Sequence, residues 1–181
     1  QRMSAIATKT NYFVNLIAPY NVKVLDTRKT TPNFRLLEKQ AVAIGGATNH
    51  RFGLYDMIML KDNHIDYAGG ITQAVNKAFD YVCSNNYQLK IEVETRNLND
   101  VEEVCTNCLD KVDRIMLDNF TPEQITAALK IIKQRIETEA SGGINLDTIL
   151  DYAATGVDYI SVGGLIHQAK SLDLSLKALI V

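Results

Sequence analysis

The sequence predicts an α/β fold of a particular kind, an incomplete parallel α/β barrel of six or seven strands, similar to a TIM barrel. Three observations lead there. Strand-like runs alternate with helix-like runs six times in succession, which calls for a parallel sheet with right-handed crossovers. The run Leu89-Lys90-Ile91-Glu92-Val93-Glu94 puts Lys90, Glu92 and Glu94 on one face and Ile91 and Val93 on the other. An open sheet with helices on both sides wants both faces apolar, whereas a barrel lumen near its mouth can hold charges that serve a ligand. Finally, the carboxyl ends of the strands carry nearly all the unusual polar residues, which is where such barrels bind ligands.

The elements follow in order. Residues 1–20 read as a leading helix with mixed apolar faces (Met3, Ile6, Phe13, Leu16). Residues 22–25 are β-branched and apolar, a short strand. The turn Asp26-Thr27-Arg28-Lys29-Thr30-Thr31 follows, and Thr31 and Pro32 read as N-cap and first residue of a helix over 32–44. Gly45-Gly46 ends that helix and leads to Asn49-His50-Arg51. Residues 57–60 form a strand that ends in Lys61-Asp62-Asn63-His64, before a helix over 70–84. Strand 89–94 precedes helix 98–109, and strand 114–117 precedes helix 122–135. That helix has Thr121 as N-cap, Pro122 at its first position and Glu123 in its first turn. Strand 136–140, helix 145–154, strand 159–162 and helix 164–170 complete the pattern. Nothing divides the chain, so one barrel domain over residues 1–181 is expected.

Composition excludes several classes. A chain of 181 residues, 46% apolar and 22% charged, can bury a sizeable core. A net charge of −2 points to neither nucleic acid nor a membrane surface. No apolar run approaches the ~18 residues of a membrane span. Gln1-Arg2-Met3-Ser4 lacks the apolar core of a signal peptide, and a start other than Met suggests a fragment. Three cysteines fit reduced thiols in the cytoplasm. Cys105 and Cys108 have Cys-x-x-Cys spacing but lie on a helical apolar stripe without partner ligands, so they read as structural.

The strand ends carry the chemistry. Arg28, Lys29, His50, Arg51 and Lys61 converge on one mouth and repel one another, which implies a polyanionic ligand. Some of them should pair with Asp26, Asp62, Glu94 or Asp118. Ser141-Gly142-Gly143 and Gly163-Gly164 end the last two strands. Glycines there let the backbone approach a phosphate, and each turn should open a helix whose N–H groups face it. Glu94 and Asp118 end adjacent units. Two such acids suit positive charge developing on a sugar ring, and Mg²⁺ held indirectly through substrate and water. His64 and His167 read as structural.

DTRKTTP, GGATNHR, LKDNHI, IEVET, IMLDNF, EASGGI and YISVGG occur in this order. With them the chain closely resembles, over essentially its whole length, the C-terminal domain of the quinolinate phosphoribosyltransferases. The resemblance implies transfer of a phosphoribosyl group from 5-phosphoribosyl-1-diphosphate to quinolinate with loss of CO₂, giving nicotinate mononucleotide and diphosphate for NAD synthesis. It implies that Arg28, His50, Arg51 and Lys61 hold the quinolinate carboxylates. Lys29, Glu94 and Asp118 would engage the donor and its Mg²⁺. Ser141, Gly142, Gly143, Gly163 and Gly164 would hold the 5-phosphate, and Lys29, Lys61, Glu94 and Asp118 form the catalytic group.

It also implies a homodimer, with a preceding α/β domain, absent from this chain, that lends an arginine to the partner. The chain alone is then expected to bind phosphate but turn over little. Ala5, where the family usually has glycine, and Ile166-His167-Gln168, in place of Thr-His-Ser, depart from the family pattern. Rival readings are a paralogous pyrophosphorylase associated with molybdenum transport, a Schiff-base aldolase using Lys29 or Lys61, and a phosphate-binding barrel without catalysis.

Overall fold

The computed structural model describes residues 1–179. Six parallel strands make one sheet in the order β1-β6-β5-β4-β3-β2. They are β1 (Lys23–Leu25), β2 (Ile58–Leu60), β3 (Ile91–Thr95), β4 (Arg114–Asp118), β5 (Glu137–Ser141) and β6 (Tyr159–Ser161). The helices are α1 (Arg2–Leu16), α2 (Arg35–Ile44), α3 (Asp62–Ala68), α4 (Ile71–Ser84), α5 (Leu98–Asn107), α6 (Pro122–Ile132), α7 (Ile149–Ala153) and α8 (Gly164–His167). None is long and apolar enough to cross a membrane.

Strand order explains the barrel and its gap. β1 pairs with β6, as a barrel requires, and on its other side Leu25 bridges a single residue, Thr48. Thr48 therefore stands where a seventh strand would lie between β1 and β2. It does not grow into one, because the neighbouring amides have other acceptors. The Asp26 carboxylate accepts the His50 N–H at 2.7 Å, and Asp56 accepts those of Phe52 and Gly53 at 2.6 and 2.8 Å. Backbone donors satisfied by side chains are lost to a ladder. Among the described residues the sheet stays unclosed between Thr48 and β2.

Alternation along the strands sorts the two faces. Val24, Ile91, Val93, Ile115, Leu117, Ala140 and Ile160 point outward into the main apolar core, against Val42, Val75, Val101, Ile125 and Ile149 of the helices. Cys105 and Cys108 are buried in the same core, and Cys83 is exposed. The lumen holds the opposite set: Glu92, Glu94, Arg114 and Glu139 are all buried there. Arg114 reaches Glu139 at 3.2 Å and Glu137 at 3.0 Å and lies 4.0 Å above the Tyr159 ring, closing the floor.

Several expected boundaries move. The helix expected over 32–44 begins at Arg35, and Thr31 does not cap it. Asn33 has φ 60°, which breaks any helix there, and the Thr31 amide and hydroxyl both donate to buried Glu38, at 2.8 and 2.9 Å. Lys61-Asp62-Asn63-His64 opens the unexpected helix α3, in which His64 Nδ1 accepts the Lys61 N–H at 2.9 Å. Helix 122–135 stops at Ile132 because Lys133 and Gln134 take positive φ (55° and 56°), although its start is as expected, with Thr121 accepting the Gln124 N–H. Helix 145–154 shrinks to α7, and helix 164–170 to the four residues of α8.

Candidate active site

A cavity of about 830 Å³ opens at the carboxyl ends of the strands. It gathers all twelve residues given a site role from the sequence. Arg28 and Lys29 come from the turn after β1, and His50 and Arg51 from the segment after Thr48. Lys61 follows β2, Glu94 lies on β3, and Asp118 ends β4. Ser141, Gly142 and Gly143 follow from β5, and Gly163 and Gly164 from β6. Cations lie at the ends of β1 and β2 and after Thr48, acids at the ends of β3 and β4, and glycine turns at the ends of β5 and β6, the last of these beside β1.

The Arg28–Thr31 turn is held from α2. Arg35 donates to the Thr30 hydroxyl at 3.0 Å, to the Arg28 carbonyl at 3.3 Å and to the Phe52 carbonyl at 3.0 Å. Glu38 holds Thr31 and pairs with Arg2 of α1 at 2.9 Å. Asp26, a possible partner of the site cations by its place in the sequence, does not pair with them. It is fully buried and instead binds Lys39 of α2 at 2.7 Å. Lys61 does pair with Glu94. Arg28, Lys29 and Arg51 have no carboxylate partner among the described residues, and Arg28 Nε is buried with no acceptor at all. Burial first, and then the charge of Arg28, push the Arg51 pKa down. Glu92 and Asp56 act on Arg51 in the opposite sense, and an anion between the two arginines would offset their repulsion further.

His50 is buried between two carboxylates. Its Nε2 lies 3.0 Å from Glu92 and 3.2 Å from Glu139, aligned for a hydrogen bond to neither. Burial alone would lower its pKa, but Glu139 and Glu92 outweigh burial and raise it to about 9. The Arg51 N–H donates to Nδ1 at 2.7 Å, a contact that an imidazolium gives up. Two buried carboxylates beside Nε2 thus favour the charged ring, and the Arg51 N–H favours the neutral one. Burial holds the Glu92 carboxyl above its ordinary range, while His50 keeps Glu139 low despite burial.

The glycine turns differ from their expected form. Gly142 has φ 105°, and a Cβ on it would lie 2.2 Å from Asn119 Oδ1, so only glycine fits. However, α7 starts only at Ile149, so this turn does not open a helix. The second turn does run into α8, which is too short to add a sizeable dipole. What the turns offer is backbone: the amides of Gly142, Gly143 and Gly163 donate to no other group among the described residues.

Glu94 and Asp118 supply oxygen donors that suit Mg²⁺, but Glu94 is engaged by Lys61, and Asp118 accepts from Asn119 at 2.6 Å. Among the described residues no third acid or histidine joins them, so these two acids alone do not make a protein cage for an ion. The compact group His50, Glu92 and Glu139 lies deeper and includes groups the sequence reading passed over. Glu139 was findable, because Glu137, Glu139 and Ser141 alternate along β5 as Glu92 and Glu94 do along β3. Lys39 and Asn119 carried no such signal. His167, read as structural, also lines the cavity.

Comparison with known proteins gives one consistent result. The family described as "Quinolinate phosphoribosyl transferase, C-terminal domain" matches residues 6–177. Quinolinate phosphoribosyltransferase (decarboxylating) 1b of Nicotiana tabacum is 44% identical over 98% of this chain and 53% of its own length. The probable nicotinate-nucleotide pyrophosphorylase (carboxylating) of Bacillus subtilis is 44% identical over 97% of this chain and 59% of its own. The crystal structure of NadC from Streptococcus pyogenes superposes with a TM-score of 0.90 at 44% identity, over 98% of this chain and 60% of that one. The chain thus spans little more than half the length of these relatives. With the match running through nearly every residue, and the cavity residues drawn from the matched region, the chain belongs to the quinolinate phosphoribosyltransferase family, in the part described as its C-terminal domain.

Proposed function

We propose that this chain forms the catalytic barrel of an enzyme that transfers a phosphoribosyl group from 5-phosphoribosyl-1-diphosphate to quinolinate, releasing diphosphate and CO₂ and forming nicotinate mononucleotide. The observation that carries this reading is one cavity with a wall that bears Arg28 and Arg51, neither paired with a carboxylate among the described residues, and a wall made of the glycine turns after β5 and β6. A planar dicarboxylate suits the first wall and a phosphate the second.

In this reading Arg28, His50, Arg51 and Lys61 hold the two carboxylates and aim the pyridine nitrogen at C1 of the ribose. The 5-phosphate rests on Ser141–Gly143 and Gly163–Gly164, and Lys29 faces the diphosphate. As diphosphate leaves, positive charge grows on the sugar, and the Glu94 and Asp118 carboxylates stabilise it. Bound Mg²⁺, held by those two acids together with substrate oxygens, would neutralise the departing diphosphate. The pyridinium so formed is an electron sink, so the adjacent carboxylate can leave as CO₂; its bonding pair stays on the ring carbon, which then takes a proton from water, while Arg51 and His50 keep the ring in place.

We further infer a homodimer acting on small molecules alone. Exposed Leu36, Ile44, Leu54 and Tyr55 supply apolar surface for association. The three free cysteines suit a reducing, cytoplasmic setting. The test is an assay of diphosphate and CO₂ release with quinolinate, and with nicotinate as control. Release with quinolinate alone supports the reading. Equal release with nicotinate moves the chain to a paralogous acceptor, and no release with either from a protein that also carries the preceding domain removes the enzyme reading.

A further inference from the structure

The buried Asp26–Lys39 pair lies outside the cavity lining but is bonded to one cavity residue from both sides. Asp26 Oδ1 accepts the His50 N–H at 2.7 Å, and Lys39 Nζ donates to the His50 carbonyl at 2.9 Å. The pair itself is closed at 2.7 Å, with both side chains 2% exposed or less. The Asn49 amide, turned to face its acceptors, adds bonds to Asp26 Oδ2 at 2.9 Å and the Lys39 carbonyl at 3.0 Å.

This harness lies where the barrel has no seventh strand. Elsewhere the strand-end residues inherit their positions from a ladder, as Glu94 does from β3. Among the described residues only the Leu25–Thr48 bridge supports the His50 segment from the sheet. Behind it a second cavity of about 380 Å³, lined by Lys39, Asn49, His50 and Arg51 among others, leaves room for the segment to shift.

A buried ion pair is weak evidence for stability, because apolar residues of similar volume often serve as well. Such residues could hold α2 to β1. They could not engage the N–H and carbonyl of one residue.

We propose that Asp26 and Lys39 are positioning residues for acceptor recognition: by clamping the His50 backbone they set where His50 and Arg51 meet the dicarboxylate. This rests on the function proposed above. It assigns the pair no contact with substrate, and it leaves the phosphate wall independent of the pair.

The experiment compares wild type with the Asp26→Leu/Lys39→Met double variant, which removes both charges together. Calorimetry with quinolinate and, separately, with 5-phosphoribosyl-1-diphosphate gives two affinities. Circular dichroism and a melting curve establish that the variant is folded. Quinolinate binding is expected to weaken by about tenfold or more, on the scale of losing one charge-assisted contact, with donor binding changed by less than about threefold. Asp26→Asn/Lys39→Met retains an acceptor for the His50 N–H and should fall between. Unchanged quinolinate binding in a folded variant, or equal weakening of both ligands, overturns the proposal.

Should neither variant fold, hydrogen exchange at the His50 amide of the ligand-free wild type decides. Slow exchange is expected, and exchange as fast as in an open loop defeats the clamp. Wild type that binds no quinolinate defeats the function proposed above, and this inference with it. Wild type that binds while the variant binds equally well defeats this inference alone.

Discussion

The two walls of the cavity are built by different means. The acid and glycine wall rises from β3, β4, β5 and β6, where continuous parallel register sets each strand end. Apart from Lys61, which follows β2 and its ladder to β3, the cation wall rises from residues 26–51, where the ladder is short and then stops at Thr48. There, carboxylates of Asp26, Glu38 and Asp56 take the backbone amides that strands would otherwise pair. Regular structure thus places the groups read as acting on the sugar and phosphate, and buried ion pairs place those read as holding the acceptor. One wall should tolerate loss of a side chain and resist change of backbone. The other should do the reverse.

The largest effect is expected where a buried charge loses its partner. Lys39→Met leaves Asp26 fully buried and unpaired, which should cost about 3–5 kcal/mol of stability. Chemical denaturation measures it, and a loss below about 1 kcal/mol would show that the cation wall does not depend on the pair. On the other wall, Glu94→Ala in the full-length enzyme should reduce turnover roughly 10²-fold, as loss of one transition-state electrostatic partner does, with little change in melting temperature. A large fall in melting temperature would make Glu94 a structural partner of Lys61 instead.

Next in size is a pH effect specific to His50. Its folded pKa of about 9 exceeds the ordinary 6.5. The stability this group contributes is therefore fully present below pH 6.5 and is lost as pH rises through about 9. Melting temperature should fall across that window, and His50→Gln should flatten the fall. A rise with pH would mean that the ring is neutral, with the Arg51 N–H deciding its state. The smallest effect is expected from Gly142→Ala. The added Cβ meets Asn119 while φ is 105°, a strain on the order of 1–3 kcal/mol. Phosphate binding should fall with quinolinate binding intact, and loss of both would erase the division between the walls.

The sequence made one wall far more legible than the other. Period-two alternation in IEVET revealed the lumen face of β3, and turn chemistry placed SGG and VGG at strand ends. These signals are local. The segment carrying Arg28, His50 and Arg51 was legible as chemistry but not as structure. Its anchors, Asp26 with Lys39 and Thr31 with Glu38, join residues 13 and 7 positions apart through geometry that no periodicity encodes. The same cause explains the misplaced start of α2: Thr31 is a good capping residue by type, yet Glu38 claims its hydroxyl. The missed helix α3 has Asp, Asn and His in its first turn, residues of modest helix propensity, and buries only Ile65.

A structure of the protein with quinolinate and a stable analogue of 5-phosphoribosyl-1-diphosphate bound together tests the division of the cavity most directly. The account predicts both carboxylates against Arg28, His50 and Arg51, and the 5-phosphate on the amides of Gly142, Gly143 and Gly163. A phosphate held by the two arginines, or a dicarboxylate seated on the glycine turns, would contradict it.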